Sequence, residues 1–169
     1  MRTSLVVAGG LALVSVLAAP ASSQCVSLGT PGQNGCGLDP TSVPSISCAG
    51  SPNVGNAAFQ VVGGTPCVFA GSILLVGLCA SPPVPVTGPF GTNAFCNPGP
   101  AGCTAYVDLN VVAVLLGIPT PAGVAFPLPV PNDPSILGAK VCAQEVITCA
   151  LFVGVCIAVT NGISITIEP

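Results

Sequence analysis

The sequence predicts an all-β chain: an antiparallel β-sandwich of about seven or eight short strands, in Greek-key or jelly-roll-like order, behind a disulfide-stapled irregular segment. Three observations carry that expectation. Apolar runs rich in Val and Ile are short and are broken by clusters of Pro, Gly and Asn. Nineteen prolines leave little room for a long helix. Ten cysteines, an even number, in a chain without histidine or tryptophan imply a disulfide framework.

Taken in order, Arg2 precedes an uncharged apolar run from Leu5 to Ala18 and then the small residues Ala19-Pro20-Ala21-Ser22-Ser23. This reads as a secretory signal peptide over 1–23, with cleavage after Ala21 or Ser23. Gln24 separates the small residues from Cys25, which argues against lipidation, and the run is shorter than the roughly 20 residues of a membrane span. The chain is therefore expected outside the cell or on its surface, with no transmembrane span after signal cleavage. Residues 24–56, rich in Gly, Pro, Ser and Asn and carrying Cys25, Cys36 and Cys48, are expected to be irregular. The sandwich domain is expected over 57–169.

Its strands are expected in Ala57 to Val62, Gly71 to Cys79, Ala105 to Leu116, Val124 to Val130, Ala139 to Ile147, Val153 to Thr160 and Ile163 to Ile167. The loops between them include Ser81-Pro82-Pro83, Asn97-Pro98-Gly99-Pro100 and Pro131-Asn132-Asp133-Pro134. Pro131 and Pro134 fix φ around Asn132 and Asp133, whose side chains suit a turn. Asn161-Gly162 matches a type I′ turn, which needs positive φ at both residues, so a C-terminal hairpin is expected there. The stretch Val146 to Ile167 carries no charge, but its β-branched alternation has period two and argues against a membrane helix.

All ten cysteines, Cys25, Cys36, Cys48, Cys67, Cys79, Cys96, Cys103, Cys142, Cys149 and Cys156, are disulfide candidates. No Cys-x-x-Cys spacing exists to hold zinc. Short-range closure favours Cys96 with Cys103 and, more weakly, Cys67 with Cys79. A tight reversal near Thr148 to Leu151 would bring Cys142 to Cys156.

Past the signal, Lys140 is the one base left against Asp39, Asp108, Asp133, Glu145 and Glu168. That excludes nucleic acid as an expected partner, because phosphate contacts draw on Lys and Arg. Without histidine, serine or cysteine nucleophiles lack their usual base. Asp108, Asp133 and Glu145 could converge as a carboxylate set, yet each has a plainer role: Asp108 on an exposed strand, Asp133 in its turn, Glu145 as a surface partner for Lys140. Calcium on Asn132 and Asp133 is the sharper alternative, but no Asp-x-Asp-x-Asp-Gly loop is present. The expectation is a non-enzyme with no catalytic residue, cofactor or metal.

The stretch from Ala122 to Ala139, which contains Leu128-Pro129-Val130-Pro131-Asn132-Asp133-Pro134-Ser135-Ile136-Leu137-Gly138, resembles the LPIPNDPSLLG motif of a small β-sandwich domain of secreted planctomycete and related bacterial proteins. The likeness continues through Ala143-Gln144, Val159-Thr160-Asn161-Gly162-Ile163 and Ile165-Thr166-Ile167, covering roughly Asn56 to Pro169. Where that family has an aromatic before Ala-Gln, this chain has Cys142. The resemblance implies an extracellular bacterial module of unassigned activity. With 51% apolar residues, part of the β surface must stay apolar, which marks an interaction surface. The function expected is thus a secreted structural or adhesive module; the sequence names no partner, a cell-surface protein or a glycan being the candidates. The alternatives are a carbohydrate- or small-ligand-binding module, thinly supplied with aromatics, and a hydrophobin-like surface-active protein, which would carry adjacent Cys-Cys pairs.

Overall fold

The computed structural model describes residues 24–29, 36, 44–64, 67, 69–86, 103–121, 123–151 and 154–169. The expected signal segment, Asp39, Cys96 and the Asn97 to Pro100 loop lie outside them. Among the described residues ten strands form: β1 (Cys25–Leu28), β2 (Ile46–Ala49), β3 (Gln60–Gly63), β4 (Phe69–Val86), β5 (Cys103–Leu116), β6 (Ile118–Thr120), β7 (Gly123–Pro127), β8 (Lys140–Leu151), β9 (Gly154–Val159) and β10 (Gly162–Thr166).

They build two antiparallel sheets. The first runs β1-β10-β8-β4-β5, with β9 also on β8, and the second runs β2-β3-β7-β6. The all-β antiparallel fold is as expected, and each of the seven expected runs overlaps a strand. The additional strands are β1, β2 and β6; the first two arise inside the segment expected to be irregular. Four residues are too few to show a period, so only the pairing partners, β10 for β1 and β3 for β2, define those strands.

Between the sheets, Leu74, Ala143, Ile163 and Ile165 of the first pack on Ile46, Val61, Val124 and Phe126 of the second, together with Phe59 and Val130. The chain changes sheet at Gly117, between β5 and β6. A Cβ there would run into Val124 and Phe126, so the corner needs glycine for space.

The C-terminal hairpin is not what forms. β8 turns back after Leu151, and β9 and β10 run in succession along the same edge of β8. Val146 faces Val159 and Ala143 faces Ile163, so between these pairs two residues of β8, Gln144 and Glu145, oppose three, and the extra residue sits at Thr160-Asn161 as a β-bulge. Asn161 and Gly162 both lack positive φ. Gly162 is needed for space: a Cβ would lie 2.5 Å from Tyr106 Cβ.

Ser81-Pro82-Pro83, expected as a loop, belongs to β4. Pairing of β4 with β8 ends at Gly77, and its pairing with β5 shifts register between Cys79 and Val84. Prolines fit where a ladder is interrupted and the second neighbour is gone. Beyond that shift the β4–β5 end folds over the outer face of β8 and β10: Tyr106 meets Gly162, and Gln144 bonds to Thr104 and Tyr106.

Four disulfides are seen: Cys25–Cys48, Cys36–Cys103, Cys67–Cys149 and Cys79–Cys142. Among the described residues no cysteine is free, and Cys156 is also oxidised. The three pairings favoured by short-range closure are therefore wrong. Cys103 takes Cys36, Cys142 takes Cys79, and Cys67 takes Cys149. The β8 reversal comes at Leu151–Gly154, which puts Cys156 opposite Cys149 and leaves Cys142 beside β4. The N-terminal segment is tied to both sheets, since Cys25 on β1 reaches Cys48 on β2 and Cys36 reaches the start of β5.

Candidate interaction surface

Polar side chains inside this apolar chain are confined to a few nodes beside the bulge. Gln144 points outward from β8 under the folded β4–β5 end, where its Oε1 accepts from Tyr106 N at 3.0 Å. Its Nε2 donates to the Thr104 and Thr160 carbonyls at 2.7 and 2.9 Å. Asn161, also buried, accepts at Oδ1 from Ile46 N at 3.3 Å and donates from Nδ2 to Ser27 Oγ at 2.8 Å. It therefore ties the bulge to β1 and β2, one from each sheet.

Glu145 points the other way, into the space between the sheets, and is completely buried. Its Oε1 accepts from Ser72 Oγ at 2.5 Å, while Oε2 has no hydrogen-bond partner. Gly63 of β3 lies directly against the carboxyl, and a side chain there would occupy the same volume. Thr160 brackets the backbone, with Glu145 N donating to Thr160 Oγ1 at 3.0 Å and Thr160 N donating to Glu145 O at 3.0 Å. Desolvation raises the carboxyl from its ordinary 4.5 to about 7, against the smaller opposing effect of the Ser72 bond. The expected surface pairing with Lys140 is thus corrected. Lys140 is exposed and five residues away, an odd step that places the two side chains on opposite faces of β8.

The other described carboxylates are locally occupied. Asp108 Oδ1 accepts from Asn110 N and Nδ2, both at 2.9 Å. Asp133 precedes a 3-10 turn, Pro134–Ile136, and accepts from Ser135 N at 2.9 Å; that bond holds its carboxyl below the ordinary range. Asn132 lies beside Gly55, whose N donates to Pro131 O at 3.1 Å, so the Pro131–Pro134 corner seats on the turn at Val54–Gly55. Glu168 accepts from Gln24. Among the described residues no three His, Cys, Asp or Glu side chains gather in one place. Asp108, Asp133 and Glu145 lie on β5, in the turn and in the core, so they do not come together.

What the fold leaves open is an apolar surface. The outer face of the first sheet is covered over β10 and the start of β8 by the β4–β5 end and by the Cys36–Cys103 bridge, which packs on Val159. Over the other half, Ile73 of β4, Val146 of β8 and Ile157 of β9 are only half buried, and the flanking strands hold Val114, Leu116 and Val155 at 55%, 79% and 65% exposure. A groove of about 520 Å³ crosses this half, lined by Gly71, Ile73, Leu116, Val146, Thr148 and Ile157 among others. Among the described residues no charged side chain lines it. A second depression of about 420 Å³ sits at the register shift between β4 and β5, with Asp108 and Asn110 on its wall and no aromatic side chain among the described residues that line it.

The alternation of β-branched residues made an apolar face legible, but the sequence does not say which half of it is covered. Gln144, Gly63 and the buried role of Glu145 were missed. The odd spacing of Glu145 from Lys140 was the available signal. Among the described residues no helix is long and apolar enough to cross a membrane. Comparison with known protein families, curated proteins and solved structures finds no match to this chain.

Proposed function

We propose that this chain is a secreted, non-enzymatic structural or adhesive module of the cell exterior, working through the open half of the outer face of its first sheet. The observation that carries the reading is the exposure of Val114, Leu116 and Val155 around an uncharged groove, on a sandwich held by disulfides. An apolar patch on an otherwise covered sheet is the usual mark of a contact surface. Disulfides fit an oxidising compartment, and the apolar run before Cys25 supplies the export signal the reading needs. The 420 Å³ depression favours no second reading, because its carboxylate is already bonded to Asn110 and its described lining offers no ring for a sugar to stack on.

The test is retention of the purified, oxidised protein on the cell-surface fraction of the producing cells, compared with Val114→Lys and Val155→Lys. Both positions are exposed, so the variants fold. Retention is expected to fall at least about tenfold in each, the size of one well-buried aliphatic side chain lost from a contact. Equal retention of all three proteins removes the proposal.

A further inference from the structure

Resting on that reading, we infer that the occupant of the open half-face is a second copy of this chain, packed face to face about a two-fold axis. An isologous contact requires one patch to carry both a projection and the recess that receives it. Here they lie side by side. Leu116 stands 79% exposed at the rim of the groove. The groove exists in part because β4 has no side chain at Gly71, where an added Cβ would meet nothing within 4 Å. A two-fold close to this rim sets each Leu116 into the partner's groove, over Ile73, Val146 and Ile157.

Charge points the same way. A partner that docks by ion pairs finds no charged side chain among the described residues of the groove lining, whereas a second copy presents the same uncharged lining and is not repelled. Area sets the strength. Four strands at about 4.8 Å and some six residues at about 3.3 Å give a face of roughly 20 by 20 Å, or about 400 Å² per copy. Two such faces bury about 800 Å² in plan, below the roughly 1,200–2,000 Å² of stable specific interfaces and in the range of weak, transient contacts. The dimer is accordingly weak and reversible, forming at micromolar concentration or above.

Sedimentation equilibrium of the oxidised protein over a concentration series, up to about 1 mM, tests this. The apparent mass is expected to double with concentration in the wild type and to stay at one chain in Gly71→Leu, which fills the recess, and in Leu116→Lys, which charges the projection. Circular dichroism on the same samples verifies that both variants keep the β spectrum. A wild type that stays monomeric throughout, or variants that dimerise as it does, overturns the inference. If a monomeric wild type still loses its cell-surface retention on Leu116→Lys, the self-association falls alone and the adhesive reading stands. If retention is also unchanged, both fall.

Discussion

Glu145 shows at one residue how this chain tolerates polarity in a core that is otherwise Val, Ile and Leu. An ionised carboxylate without a charged partner would be costly here, and the described groups against it are Ser72 from β4 and Gly63 from β3, neither of them charged. The folded state holds the proton more tightly than the unfolded chain, whose carboxyl titrates near 4.5. The contribution of this group to stability is therefore complete below pH 4.5 and is lost as the pH rises to about 7, a change of roughly 3 kcal/mol. Urea unfolding is expected to show that decline between pH 4.5 and 7, with Glu145→Gln flat over the same window. A wild type as flat as the variant contradicts the assignment. The residue was readable in part: Glu145 shares parity with Ala143 and Ile147, both fully buried. Its neighbour Gln144 is buried too, because the β4–β5 end covers the other face, so alternation along β8 carries no clean signal.

Among the elements, the C-terminal stretch was the one most misread. Asn161-Gly162 carries the composition of a type I′ turn, and nothing local separates that from a bulge whose glycine is required by Tyr106, about 56 residues away. The same limit applies to the cysteines. The strand existence of Ala105 to Leu116 or Ile163 to Ile167 follows from local composition, but which cysteines meet depends on strand order, β4 beside β8 above all. Closure by short loops gave the wrong partners because pairings here span separations of 23, 67, 82 and 63 residues. Peptide mapping of the unreduced protein is expected to recover those four links and to find no free thiol at Cys156. Recovery of Cys96 with Cys103, or of Cys142 with Cys156, would show that this strand order is wrong.

At the level of the molecule, the long-range bridges do the work that a larger core does elsewhere. By the chain-entropy argument, each of the three longer loops restrains the unfolded chain by about 4 kcal/mol. Stability so supplied leaves part of a sheet free to stay apolar and uncovered, which a marginal core could not easily spare. On the proposed function, contact is made through that open half-face. Hydrogen–deuterium exchange and hydroxyl-radical footprinting, comparing the free oxidised protein with the protein retained on the cell surface, test this most directly. Protection is predicted over Val112–Leu116, Val146–Thr148 and Val155–Ile157, with the second sheet, strands β2, β3, β6 and β7, unchanged. Protection confined to the second sheet or to the Pro131–Pro134 corner, with Leu116 and Val155 as reactive as in the free protein, would contradict it.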